Sequence, residues 1–200
     1  MKRILLSLLM LSGVCASAQE TAQKQDFDII YVEAGTSAGK QIGVVWEFES
    51  WLHKKSSDYD KHKRSQVVKL FYSADVLKST NQFVNDVDGK GFAIELGSRS
   101  YFNKEGYKGL YYGNYLMGGS MQFENSNYAT TGDAKFSGTY TYFSFFSPEV
   151  GFKFNLSKKL VLDLHIGTAW LIEFKGKGDL DNRYFDNWLF RTGVALGYNF

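Results

Sequence analysis

From Trp188 to Phe200 the chain alternates without a slip. Trp188, Phe190, Thr192, Val194, Leu196, Tyr198 and Phe200 share one parity, and Leu189, Arg191, Gly193, Ala195, Gly197 and Asn199 share the other. Successive side chains on a β-strand point to opposite faces, so this stretch reads as a strand with one large apolar face and one small or polar face. In a soluble sandwich the large face would turn into a core and polar groups would face water. Glycine and alanine on the second face instead suit the tight interior of a narrow barrel.

Other stretches repeat the pattern. Phe92, Ile94, Leu96 and Phe102 stand against Gly91, Ala93, Glu95, Gly97 and Arg99. Ile42, Val44, Trp46 and Phe48 stand against Gly43, Glu47 and Glu49. Val150, Phe152, Phe154 and Leu156 stand against Glu149, Gly151 and Lys153. Leu160, Leu162, Leu164, Ile166, Trp170, Ile172 and Phe174 stand against Asp163, His165, Gly167, Ala169 and Glu173. Strands of about ten residues that are apolar outward and polar inward are the signature of a transmembrane β-barrel. The fold class expected is therefore all-β: an eight-stranded antiparallel, up-and-down barrel with strands near 27–35, 40–51, 65–76, 91–103, 108–124, 139–155, 159–174 and 187–200. An even count closes the sheet, and closure is required because an open edge in lipid leaves backbone groups unpaired.

The connections sort by length. Residues 103–109 and 155–159 are short turns, while 77–90, 125–138 and 175–186 are longer, polar and glycine-containing. Short periplasmic turns and longer extracellular loops are the arrangement of outer-membrane barrels. Residues 53–65 are long for a periplasmic turn, and the first strand (Asp28, Ile29, Ile30, Tyr31, Val32) alternates poorly. Val76, Leu77, Thr80, Phe83, Val84 and Val87 also recur at helical spacing, so 74–87 fits a short amphipathic helix as well. One proline in the chain agrees with many strands, since proline cannot donate to a ladder.

The opening residues suit export. Lys2 and Arg3 precede an apolar run from Ile4 to about Val14, then Ala16-Ser17-Ala18, the layout of a secretory signal peptide. Residues 1–18 are read as that leader and 19–200 as the barrel domain. Val14, which is not a small residue, precedes Cys15 and argues against a lipid anchor there. The whole chain carries 23 Lys+Arg and 21 Asp+Glu. Loss of the leader, which has two bases and no acid, leaves a neutral mature chain without cysteine. That argues against a nucleic-acid binder, which would be visibly basic.

With these patterns in place, the chain resembles the small eight-stranded outer-membrane barrels of Gram-negative bacteria, the OmpA/OmpX type, and more closely the outer membrane protein beta-barrel domain sequences common in Bacteroidota. The likeness rests on Phe190, Val194, Leu196, Tyr198 and Phe200 at alternate terminal positions, on "GSRSYFNKEGYKGLYYGNYL" (97–116) and on "SPEVGFKFNLSKKLVLDLHIG" (147–167). It implies location in the outer membrane and a terminal strand read by the barrel-assembly machinery. It also implies a monomer surrounded by outer-membrane lipid; no extracellular partner can be named.

The expected inward face carries Glu47, Glu49, Lys69, Asp75, Glu95, Arg99, Glu149, Lys153, Asp163, His165, Glu173 and Arg191. An eight-stranded barrel is barely wide enough for its own side chains, so these groups should form a plug of ion pairs. The pairs must run between strands, because Glu95 and Arg99 are roughly 13 Å apart along one strand. The spacing of Glu47 and Glu49 overlaps that of glycosidase carboxylates but comes with no sugar-binding cleft. Asp163 and His165 are only two candidate metal ligands on one strand. Asp86, Asp88, Gly89 and Glu95 fall at calcium-loop offsets, but Val84 occupies the first position, and a solvated loop is the plainer reading. The lipid A deacylases among barrels of this size carry a His-x-Ser pair, whereas His165 is followed by Ile166 and Gly167.

The expected function is a non-enzymatic integral outer-membrane protein with a filled lumen, needing no cofactor or metal, that displays its loops for envelope integrity, adhesion or defence. The alternative is an enzyme acting on membrane lipid, of the lipid A deacylase or acyltransferase kind. A soluble periplasmic barrel with an apolar ligand cavity is a third class, and the polar lumen counts against it.

Overall fold

The computed structural model describes residues 27–37, 39–50, 63–77, 87–103, 106–127, 135–174 and 187–200. They form nine strands: β1 (Asp28–Ser37), β2 (Gly39–Glu49), β3 (Lys63–Leu77), β4 (Val87–Tyr101), β5 (Gly109–Asn127), β6 (Lys135–Phe146), β7 (Pro148–Asn155), β8 (Leu160–Phe174) and β9 (Trp188–Asn199). Each pairs antiparallel with its neighbours, and β9 returns to β1 from Ile29↔Asn199 to Thr36↔Thr192. The pairing is thus a closed ring, and closure leaves no unpaired sheet edge.

The ring has eight staves because β6 and β7 are one stave with a break. Strand β5 pairs with β6 above Met117↔Ser144 and with β7 below Asn114↔Pro148. Phe145, Phe146 and Ser147 therefore face only Tyr115 and Leu116, which is a β-bulge with one extra residue. The bulge is stapled locally. The Ser144 hydroxyl donates to the Phe146 carbonyl at 2.9 Å, and the Ser147 amide donates to Asn114 Oδ1 at 3.1 Å. Pro148, with no amide hydrogen to offer, takes the first position of β7.

One extra residue reverses the parity of everything after it. On β6 the buried residues are even-numbered (Tyr140, Tyr142, Ser144); on β7 they are odd-numbered (Glu149, Gly151, Lys153). On the other staves the inward residues are odd-numbered. The bulge is what turns Glu149 and Lys153 into the lumen while Val150, Phe152 and Phe154 face out.

The outer surface is apolar. Aliphatic side chains such as Val32, Val44, Leu70, Leu116, Leu164 and Leu196 form a middle band, each well exposed. Aromatic side chains mark both borders. Trp46, Tyr112, Phe154 and Tyr198 stand toward the end that carries both termini, and Tyr72, Phe92, Trp170 and Phe190 stand toward the opposite, loop end. Phe190 and Tyr198 are about 26 Å apart along β9, or roughly 20 Å along the barrel axis once a tilt of 35–45° is allowed for.

Inward glycines make room for inward rings. Gly43 lies directly opposite Phe71, Gly97 opposite Tyr115, Gly119 opposite Tyr142, Gly151 opposite Tyr111 and Gly197 opposite Tyr31. A Cβ on any of the five would fall within 2.4 Å of the facing ring. Toward the loop end the lumen is apolar, filled by Met117, Met121, Tyr140, Tyr142, Ala169 and Leu171 with Leu189 against them.

Three expectations are corrected. The strands run further toward the loop end than 77–90 and 125–138 allow: Val87–Lys90 belong to β4, Asn125–Asn127 to β5 and Lys135–Gly138 to β6. The antiparallel ladders simply carry on there from the barrel wall, Val76↔Asp88 and Ser126↔Phe136 among their pairs. The calcium-like stretch from Val87 onward is accordingly strand and not solvated loop, and Glu95 lies in the lumen. The sixth stave is bulged, not continuous. Of the helical alternative, residues 74–77 and Val87 are strand, and 78–86 lie outside the described residues. So do the leader 1–18, His53, His62 and segment 175–186.

Candidate functional site

The inward charges meet in one network in the half of the lumen nearer the termini. It begins with Glu47 on β2, which is fully buried and accepts from five donors: Tyr31 Oη at 2.8 Å, Ser65 Oγ at 2.5 Å, Lys153 Nζ at 2.6 Å, Arg99 Nη1 at 3.0 Å and the Tyr101 hydroxyl. The barrel supplies these from β1, β3, β4 and β7, so no two neighbours on one strand pair with each other. That is the consequence of the 13 Å spacing noted above for positions four apart.

Arg99 carries the network across the lumen. Its Nη1 also reaches Asp163 Oδ2 at 2.6 Å, its Nη2 reaches Glu149 Oε1 at 3.2 Å, and its Nε donates to Tyr115 Oη at 2.8 Å. A planar guanidinium with five donors is suited to such a junction. Tyr115 passes the connection on, donating to Glu149 Oε1 at 3.0 Å, and the Tyr111 hydroxyl stands 2.8 Å from Asp163 Oδ1. The ring of Tyr111 lies 4.4 Å below the guanidinium, and that of Tyr101 lies 4.7 Å from Lys153 Nζ. Aromatic faces thus replace water around these cations.

Glu149, on the bulged stave, is the second hub. It accepts from Lys69 Nζ at 3.0 Å, with Arg191 Nη2 3.9 Å away and His165 Nε2 3.8 Å away. Lys69 stands 3.4 Å from Glu33, which faces His165 Nε2 at 3.2 Å. Arg191 closes the chain, bonding Glu95 Oε2 at 2.6 Å and the Ser147 hydroxyl. Among the described residues, five buried carboxylates (Glu33, Glu47, Glu95, Glu149, Asp163) therefore face Lys69, Arg99, Lys153, Arg191 and His165.

The structure places the residues singled out from the sequence as follows. Glu47, Lys69, Glu95, Arg99, Glu149, Lys153, Asp163, His165 and Arg191 come together in this network. Glu49 does not join it: it is half-buried at the terminal mouth, where Tyr107 Oη donates to it at 2.9 Å. The side chains of Asp75 and Glu173 lie outside the described set. Asp163 and His165 turn to different partners, Arg99 and Glu33. No group of three His, Cys, Asp or Glu among the described residues is arranged to hold a metal ion. Phe190, Val194, Leu196, Tyr198 and Phe200 all stand on the outer face.

Sequence reasoning missed Glu33, Ser65, Ser147 and the inward tyrosines Tyr31, Tyr101, Tyr111 and Tyr115. A signal for Glu33 exists, since Ile29, Tyr31 and Glu33 share the odd parity that faces inward elsewhere. It is masked by apolar residues on both parities of β1. Tyrosine is ambiguous in principle, because its ring suits either face and only its hydroxyl needs a partner.

No family model matches the sequence, and no curated protein matches it. Solved structures do. A major outer membrane protein from Thermus thermophilus aligns with a TM-score of 0.52 at 11% identity, over 88% of this chain and all of that one. The N-terminal β-barrel domain of Pseudomonas aeruginosa OprF aligns at 0.44 and 14% identity, over 89% of this chain and 100% of that one. Neisserial surface protein A aligns at 0.41 and 10% identity, over 87% of this chain and 94% of that one. The first of these likenesses is one of fold: the chain is built as an outer-membrane-type β-barrel.

Proposed function

We propose that this chain, which has the fold of outer-membrane β-barrel proteins, is an integral outer-membrane protein of a Gram-negative bacterium. It works as a closed, rigid anchor that presents its loop-end connections outside the cell for envelope integrity, adhesion or defence. One observation carries the reading: the barrel is inside-out. The charged groups of its lumen are buried, while residues such as Val32 at 58% and Leu196 at 53% exposure form an apolar wall. Water would penalise that wall, and hydrocarbon does not. An eight-stave lumen filled by its own side chains serves as structure. Among the described residues, each lumen carboxylate stands within 4 Å of a cation, which favours a structural role for these groups. The outward residues of β9, ending at Tyr198 and Phe200, are the assembly address in this reading, and lipid contacts a monomer on all sides.

Cell fractionation followed by gels of boiled and unboiled samples tests this. The expected result is a protein in the outer-membrane fraction whose unboiled form migrates differently, because a closed barrel resists detergent. Recovery as a soluble periplasmic protein with a single band would overturn it.

A further inference from the structure

Exposed cations stand at the terminal rim of the barrel. At the terminal end, Arg64 is exposed on the outward parity of β3, and Lys158 and Lys159 are exposed on the turn between β7 and β8. Lys159 is held toward the membrane face: its Nζ donates to Tyr198 Oη at 2.9 Å and lies 5.2 Å from that ring. Tyr198 belongs to the aromatic border, so this cation is fixed at the depth where hydrocarbon gives way to headgroups. Two described carboxylates of this rim are engaged. Asp28 accepts from Trp46 Nε1, and Glu49 accepts from Tyr107.

We propose that this rim binds the phosphate headgroups of anionic phospholipids in the periplasmic leaflet, with Lys158 and Lys159 as the principal contacts and Arg64 as a second one further round the collar. This rests on the outer-membrane reading above. Basic residues beside an anionic leaflet each contribute about 1 kcal/mol, which corresponds to a factor of about five in affinity per cation. The contact ties the barrel's vertical position to the composition of the leaflet below it.

The test is refolding of the full mature chain into phosphatidylcholine vesicles with 0 or 30 mol% phosphatidylglycerol of the same acyl chains. The melting midpoint of the gel-shifted form is read in each. The wild type should melt about 5–10 °C higher with phosphatidylglycerol. A Lys158→Gln/Lys159→Gln/Arg64→Gln variant should lose at least half of that gain, while Lys90→Gln at the opposite rim keeps it. Equal gains in wild type and triple variant would overturn the proposal, as would the same gain from inorganic phosphate added to pure phosphatidylcholine. A wild type that inserts in both vesicles with no difference refutes this proposal alone. A wild type that inserts in neither refutes the outer-membrane reading with it.

Discussion

Arg99 on β4 stands 2.6 Å from Asp163 on β8, three staves away around the wall, so a single guanidinium spans the lumen. The same group bonds Glu47 at 3.0 Å and Glu149 at 3.2 Å. Three carboxylates thus depend on one side chain that water does not reach. Arg99→Met keeps the length and removes the charge, leaving like charges facing one another in a dry interior. Loss of one partner from such a buried set costs about 3–5 kcal/mol. The melting midpoint of the gel-shifted form should fall accordingly, and a midpoint equal to wild type would mean that the lumen is wet enough to screen these charges.

The lipid face can be tested without touching the network. Leu196 sits on β9 between Val194 at mid-strand and the Tyr198 border, opposite Val32 on one side and Leu162 on the other. Leu196→Arg places a charge where hydrocarbon should be, at a cost of about 2 kcal/mol, less than the roughly 2–4 kcal/mol of the midplane because the border is near. Folding yield into vesicles should drop sharply, while Leu196→Phe should fold as wild type does. An arginine tolerated at 196 would mean that this face meets water.

The opposition of Gly97 and Tyr115 is a packing requirement more than a backbone one. A Cβ at 97 would lie 2.4 Å from Tyr115 Cδ1 and 2.4 Å from the Asn114 carbonyl oxygen, so neither ring nor strand can easily yield. Tyr115 in turn holds Arg99 Nε and Glu149. Gly97→Ala should therefore lower stability by about 1–3 kcal/mol through overpacking. A Gly97→Ala/Tyr115→Phe pair helps to apportion the loss. If removing the hydroxyl adds nothing further, the alanine has already detached Tyr115 from its partners.

Much of the fold was legible because one face of each stave forms an apolar outer wall and the other lines a narrow lumen, and period-two patterning records both. Strands β8 and β9 are almost pure alternations and could be placed from residues alone, and so could β4 from Gly91 onward. The inward charges were legible for the same reason, since Glu95, Arg99, Asp163 and Arg191 interrupt no apolar face. What was hidden is whatever breaks the rule that inward means polar. Val45, Val67, Phe71, Met117 and Leu171 face inward, filling space between charges or capping them. β1 carries apolar residues on both parities and so conceals Glu33. Which carboxylate meets which cation depends on cross-lumen geometry, which no local pattern encodes.

The bulge at Phe145, Phe146 and Ser147 was hidden too, and it makes the sharpest prediction. Between Ser144 and Pro148 the stave spends three residues against two on β5. Deleting Phe146 restores a continuous strand and forces a choice. If β6 keeps its parity, Glu149 and Lys153 turn to the apolar outer face, and Val150, Phe152 and Phe154 turn into the lumen. If β7 keeps its parity, Tyr140, Tyr142 and Ser144 turn outward and the apolar filling at the loop end is lost. Either way Arg99 and Lys69, or Met117 and Leu171, lose their partners, so the deletion should yield no gel-shifted form. Phe146→Ala removes the same ring but keeps the residue count. It should fold with a modest loss, since the ring is half exposed. If the deletion variant instead folds with a wild-type midpoint, the parity reversal is not what delivers Glu149 to the lumen, and the stave must tolerate a register the structure does not show.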